Sequence, residues 1–167
     1  MTTYAVTGHR PDKLGGYDAH ENFRAIRRHM RDFLQALPEE RPGLISGGAL
    51  GIDQFWIEVG FHLDLPVTVA LPFEGYDAKW PGVSRQEYQK LLDKCTQVLY
   101  ICEPGYAASK LQTRNEWMVD NCDELAAYWN GAKGGTKNCL DYAGIRGRTV
   151  HKFNPDDIIR NAKSFTP

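Results

Sequence analysis

The chain has no long hydrophobic run, no close cysteine pair and no excess of either charge, and each absence removes a class of function. No apolar stretch approaches the roughly 20 residues that a membrane-spanning helix needs, so no membrane partner is expected. The four cysteines, Cys95, Cys102, Cys122 and Cys139, are too far apart for the CxxC spacing of a zinc knuckle or a thiol redox motif. They read as reduced, mostly buried thiols of a cytoplasmic protein, the first two in or beside a strand and the last two on helices. His20, His29, His62 and His151 are scattered with no HExxH spacing, so no metal site is expected, and His29 is assigned to solvent. The opening Met1-Thr2-Thr3-Tyr4 has no basic region followed by an apolar one, so no signal peptide is expected. Twenty basic and 21 acidic residues leave a formal net charge of -1. That balance argues against nucleic acid as a partner, because broad binding to it needs a basic footprint. The local exception, Arg24, Arg27, Arg28, His29 and Arg31, reads as wrapping most of a helix surface and therefore as a solvated face.

The 167 residues, 42% hydrophobic and 25% charged, suffice for one domain with a real core, spanning residues 1–167. Short β-branched or apolar runs alternate with longer segments of helical period. Strands are expected at Thr3 to Thr7, Gly43 to Ser46, Val67 to Leu71, Gln97 to Ile101, Leu125 to Trp129 and Arg148 to His151. Helices are expected over Ala19 to Leu37, from near Gly51, after a Ser84 cap paired with Glu87, over Leu111 to Asn121 and over Thr136 to Ala143, with a last helical turn at Asn154 to Ile159. The Gly8 to Asp18 loop, with Gly15-Gly16-Tyr17, reads as mobile. This alternation implies an α/β fold: a single Rossmann-like parallel sheet with helices on both faces, joined by right-handed crossovers.

Three apolar runs end in glycine-rich breaks, and in such a sheet all three converge beyond the carboxyl ends of the strands, where ligands sit. Glycine lets a ligand approach the backbone amides, and the following helix start favours an anion. The candidate binding residues are Gly8, His9 and Arg10 at the first break and Ser46, Gly47 and Gly48 at the second. Gly134, Gly135 and Thr136 at the third repeat the same physics, with Lys133 or Lys137 adding charge. Arg114 and Asn115, early on the helix after the fourth strand, complete the set. Arg10 and Arg114 offer forked donors for phosphate, and His9 can donate, accept or shuttle a proton. Asp53, Glu116 and Asp141 are the carboxylates available as catalytic groups, with helix capping and solvation as the alternatives. Phe73, Tyr76 and Trp80, after the third strand, are placed to stack on a base or to pack the loop, and Trp56 and Trp117 read as core or interface residues. The second break is neither the dinucleotide GxGxxG fingerprint nor a Walker loop, so no cofactor is implied and a nucleotide-like small molecule is the expected ligand.

The TGHRP stretch from Thr7 to Pro11 and the SGGALGID stretch from Ser46 to Asp53 carry a resemblance. The chain resembles the superfamily, of SLOG type, that joins the DNA-processing protein with the lonely-guy phosphoribohydrolases, and within it the small bacterial and phage members. The resemblance implies a Rossmann-like nucleotide-binding domain. Gly47 and Gly48 match the family's first glycine loop, Arg114 its helix arginine, and Gly134-Gly135-Thr136 the end of its phosphate loop. Asn115 stands where the phosphoribohydrolases carry a lysine and Asn138 where they carry the catalytic glutamate, with Asp141 one helical turn beyond. The expected function is binding or sensing of a nucleotide-derived phosphorylated molecule. N-glycosidic hydrolysis of a nucleoside 5'-monophosphate and single-stranded DNA binding through the Arg24 to Arg31 face stand as alternatives. A homo-oligomer, first of all a dimer, is also expected, both from the superfamily and from the apolar residues Phe55, Trp56, Trp117 and Met118 on central helices.

Overall fold

The computed structural model describes residues 1–164. Six strands, β1 (Thr3–Gly8), β2 (Gly43–Ser46), β3 (Val67–Leu71), β4 (Gln97–Tyr100), β5 (Glu124–Tyr128) and β6 (Thr149–Phe153), form one sheet in the order β4-β3-β2-β1-β5-β6. Every neighbouring pair is parallel, for example Ala5 opposite Leu125 on one side of β1 and opposite Ile45 on the other. The helices are α1 (His20–Gln35), α2 (Ile52–His62), α3 (Gly82–Lys94), α4 (Ala108–Asn121), α5 (Gly135–Ile145) and α6 (Pro155–Ser164). The expected α/β fold, a parallel sheet covered on both faces, is the one observed.

Strand alternation sorts the core into two layers. Tyr4, Val6, Leu44, Val67, Val69, Leu71 and Tyr128 face α1, α2, α3 and α6. Ala5, Ile45, Ala70, Leu125 and Ala127 face α4 and α5. The first layer is built from large side chains, with Trp56, Ile57, Ile26 and Met30 fully buried against it. The second mixes alanines with Ile45 and Leu125, and α4, which carries the chain from β4 back to β5, packs on it through Met118 and Val119. The first three crossovers run in one direction along the sheet on the first face, and α4 reverses that direction on the second.

Several sequence expectations are corrected. Helix α3 starts at Gly82 with Pro81 as its cap residue and no side-chain cap, so Ser84 lies inside the first turn. Helix α4 begins a turn earlier than Leu111, at Ala108. The last helical turn is a full helix of 10 residues, held by Ile158 and Ile159 against the first core layer. The loop after β1 is shaped by a 3-10 turn, Pro11–Lys13, and by Asn22, whose side-chain amide donates to the Leu14 carbonyl at 3.0 Å. His29 does not face solvent: its Nδ1 lies 2.9 Å from the Tyr128 hydroxyl, and its ring packs edge-on to Phe153 at 4.5 Å. With His29 turned inward, Arg24, Arg27, Arg28 and Arg31 form a stripe at i, i+3, i+4 and i+7 instead of wrapping the helix. The four cysteines are free, and burial pushes the Cys139 thiol up to about 12. Among the described residues no helix is long and apolar enough to cross a membrane.

Candidate functional site

The direction of chain travel reverses between β1 and β5. After β1 the chain turns toward α1 on one face; after β5 it turns toward α5 on the other, and the divergence opens a crevice of the kind that holds ligands in open parallel sheets. A cleft of about 910 Å³ occupies it. One bond spans its floor: the Asn130 backbone N–H donates to His9 Nε2 at 3.0 Å. An accepting Nε2 puts the proton of a neutral ring on Nδ1. Burial lowers the His9 pKa below its ordinary value, so the ring is neutral at pH 7.

The loop after β2 closes on itself. Ser46 Oγ donates to the Asp53 carbonyl at 2.7 Å and accepts from the Gly48 amide at 3.2 Å. The Ala49 amide donates to Asp53 Oδ2 at 3.2 Å, and the Gln54 side-chain amide donates to the Gly48 carbonyl at 3.2 Å. Arg114 reaches up from α4 beneath this loop. Its Nη1 donates to the Gly47 carbonyl and, at 3.4 Å, to the Ala70 carbonyl, while Nε donates to Asn115 Oδ1 at 3.0 Å. A Cβ on Gly47 would sit 2.8 Å from both Arg114 Nη1 and Asp53 Oδ2. Glycine here makes room for a buried charge pair. Burial pushes the Asp53 carboxyl up to about 6, against the opposing pull of Arg114, the Ala49 amide and Arg10.

The loop after β5 is open. Gly134 and Gly135 are exposed, nothing lies within 4 Å of a Cβ built on either, and no side chain caps α5. The first amides of that helix therefore face the cleft beside Lys133 and Thr136, carrying the partial positive charge of a helix start. Opposite them stands an aromatic wall. Tyr106, Phe73, Tyr76 and Trp80 follow one another edge to face, with centroids 6.1, 5.8 and 5.3 Å apart. Arg10 lies 6.0 Å from the Trp80 ring centre and Arg114 5.6 Å from that of Tyr76. The lining holds five cations, Arg10, Lys13, Lys79, Arg114 and Lys133, against two carboxylates, Asp12 and Asp53. The cleft is thus basic in a chain whose net charge is -1, and a basic concavity concentrates anions.

Of the residues singled out in the sequence, Gly8, His9, Arg10, Asp53, Arg114, Asn115, Gly134, Gly135 and Thr136 line the cleft together, as do Phe73, Tyr76 and Trp80. Ser46, Gly47 and Gly48 lie behind its wall, as supports for Asp53 and Arg114. Glu116 is not in the lining, and Asp141 is exposed and paired with Lys137 at 2.8 Å. Tyr17, Tyr106, Lys13 and Lys79 enter the lining without having been singled out for it. Their only sequence signal is membership of loops that follow strands. Among the described residues no group of three His, Cys, Asp or Glu side chains is placed to hold a metal.

A parallel sheet reversing at β1 and β5, with glycine loops at its strand tips, defines the class: a Rossmann-like domain. Residues 4–154 match the model of the YspA SLOG family, and the chain belongs to that family. It is 31% identical over 136 residues to the uncharacterized SPbeta prophage-derived protein YoqJ of Bacillus subtilis, covering 71% of this chain and 80% of that protein. It is 27% identical over 162 residues to a UPF0398 protein of Bacillus cereus strain AH820, covering 92% and 88%. Among solved structures it resembles DNA processing protein A from Streptococcus pneumoniae, with a TM-score of 0.67 at 15% identity. That match covers 98% of this chain and 56% of the other, so the chain spans about half of the pneumococcal protein. The Helicobacter pylori protein, described by its single-stranded DNA binding mode, matches with a TM-score of 0.60 at 15% identity over 98% of this chain and 80% of that one.

These neighbours overturn the exclusion of nucleic acid drawn from net charge. The physical reason is that a sum over the chain hides its segregation. Cations outnumber carboxylates in the cleft, five to two, and along one face of α1, where Glu58 is the one carboxylate in the lining.

Proposed function

We propose that the cleft binds a nucleoside phosphate, with the phosphate at the open start of α5 and the base against the Tyr76–Trp80 wall. The observation that carries this reading is the pairing of an uncapped helix start and Lys133 on one side with an aromatic surface on the other, in one basic crevice. Arg10 and Lys133 supply charge to the phosphate; Thr136 supplies a hydroxyl. Arg114 acts chiefly from behind, because Nε and Nη1 are already engaged with Asn115, Gly47 and Ala70. Asp53 and Asp12 are the carboxylates in the lining. Hydrolysis of an N-glycosidic bond would draw its acid or base from one of these, and Asp53, whose carboxyl burial pushes up to about 6, is the better suited.

A specific observation supports a second reading, in which the bound nucleotide is one unit of a single strand. At about 910 Å³ the cleft is near the upper end of the range for small-ligand sites, roughly 300–1,000 Å³. The fold is also that of proteins of which one is described by its single-stranded DNA binding.

Calorimetry with a panel of nucleoside monophosphates and short oligothymidylates tests both. Lys133→Gln should weaken binding by about 1.5–3 kcal/mol if Lys133 makes a charged hydrogen bond to phosphate, which is roughly tenfold to more than a hundredfold. Trp80→Ala should weaken it by about 1–3 kcal/mol if a base stacks there. No binding of any member of the panel would refute the proposal. Tighter binding of the oligomers than of the monomers would select the second reading, and release of free base, read by mass spectrometry, would add turnover.

A further inference from the structure

A second concavity lies away from the strand tips and shares no residue with the cleft. It is a groove of about 440 Å³ between α1 and α2, lined by Arg24, Arg27, Arg28, Arg31, Glu58, Val59 and His62. Four guanidiniums occupy one helix face at i, i+3, i+4 and i+7, a run of about 10 Å along the axis. Like charges at these spacings destabilise a helix, and the local compensation is slight. Arg27 is held by Glu58 at 3.5 Å and over the Phe55 ring at 5.4 Å. Among the described residues Arg24, Arg28 and Arg31 form no ion pair, although Glu21 precedes them by a turn and Asp32 follows.

We propose that this groove is a second anion site, one that takes the phosphodiester backbone of a single-stranded nucleic acid. Linear spacing favours a polymer with a charge on every unit over a compact anion. A recess between two helices admits one chain more readily than a duplex. Val59 is the one apolar residue in the lining, so the groove lacks the apolar anchors that docked peptides use. Arginine suits the task because its planar fork pairs with phosphate oxygens and is weakly hydrated. Glu58 sets the position of Arg27 and borders the track. The contacts proposed are to phosphate and not to bases.

The test is fluorescence anisotropy of a long labelled oligothymidylate across a salt series, with wild type and the triple variant Arg24→Gln, Arg28→Gln, Arg31→Gln. Each phosphate contact removed should reduce the slope of log affinity against log salt by about 0.7, so the triple variant should lose about 2 from it. Its affinity at low salt should fall at least tenfold, while nucleoside monophosphate binding in the cleft stays as in wild type. Returning the three positions to lysine should restore most of the slope, which a loss of fold would not allow. Equal slopes for wild type and the triple variant would overturn the proposal. So would competition by thymidine monophosphate as strong, per phosphate, as that of the oligomer, because the groove would then hold a compact anion. A triple variant that loses polyglutamate binding or self-association while keeping the oligomer would also overturn it. Because Lys133→Gln alters only the cleft, failure of the nucleoside phosphate reading and failure of the groove are separable.

Discussion

The loops after β2 and β5 are both glycine-rich turns from a strand into a helix, and they do opposite things. In the first, Ser46, Gly48, Ala49, Asp53 and Gln54 satisfy one another's polar groups, and Gly47 leaves space for Arg114 and Asp53. In the second, nothing lies within 4 Å of a Cβ built on Gly134 or Gly135, and the helix start has no side-chain cap. One loop is closed around a buried pair of charges; the other presents its amides to the cleft. Glycine serves close packing in the first case and open access in the second, and what separates them is whether a partner from elsewhere in the chain fills the space.

The largest effect should come from breaking the closed loop at Gly51. Its φ of +90° and ψ of -129° lie in a region that side chains avoid. A Cβ there would sit 2.6 Å from the His9 carbonyl oxygen and 3.0 Å from Arg10 Cα. Those are backbone atoms, which cannot swing aside. Gly51→Ala should lower stability by about 3 kcal/mol, combining backbone strain with a steric clash. Urea denaturation measures it. A loss under about 1 kcal/mol would show that the loops after β1 and β2 are less tightly engaged than their contacts indicate.

Sequence reasoning reached most of the sheet and most of the candidate residues that line the cleft. Strands β2 and β3 were legible to the residue because Gly43 and Pro72 bound short apolar runs. Helix α6 was not, because Ile158 and Ile159 are too few to signal a helix until α1 is there to receive them. Gly8, Arg10, Asp53, Arg114 and Thr136 were legible because parallel topology sends every post-strand loop to one edge. Gly47 and Gly48 do not line the cleft: the Gly47 carbonyl accepts from Arg114, 67 positions away, and the Gly48 amide donates to Ser46, contacts that their own loop sequence does not reveal. The stripe on α1 was a different error. Its spacing was visible, but counting His29 with the arginines spread the set around the helix.

A smaller effect should appear as a pH dependence set by the closed loop. Burial raises the Asp53 pKa from 3.8 to about 6 in the folded state. The sign follows from linkage: a carboxyl whose pKa is higher folded than unfolded contributes stability below about pH 4, and that contribution is lost as pH rises through about 6. A shift of about two units, with the opposing pull of Arg114 already included, sets an upper bound of roughly 3 kcal/mol, fully lost only above pH 7. Asp53→Asn should therefore flatten the stability profile between pH 4 and 7, the variant gaining on wild type as pH rises. Parallel profiles from urea denaturation would show instead that Asp53 is charged in the native state at pH 5, with Arg114 as a full counterion. Compared at the same pH, so that the ligand's own ionisation cancels, the variant should also bind a nucleoside monophosphate more tightly than wild type above pH 6.

The smallest effect should come from the open loop. Gly135 is the first residue of α5, has no positive φ and has no atom within 4 Å of a built Cβ. Alanine fits that backbone and narrows the unfolded ensemble, so Gly135→Ala should stabilise the fold by about 0.4–1 kcal/mol, a rise in midpoint of roughly 1–4 °C for a chain of this size. The same methyl group stands at the helix start where the phosphate is proposed to sit. Binding of a nucleoside monophosphate should therefore weaken while the free protein becomes more stable. Thermal melts with and without ligand read both quantities from one sample. A destabilised free protein would mean that the β5 loop is closed like the β2 loop and that the contrast between them fails. A stabilised protein with unchanged affinity would leave the loop open but move the phosphate away from it, toward Arg10 and the aromatic wall.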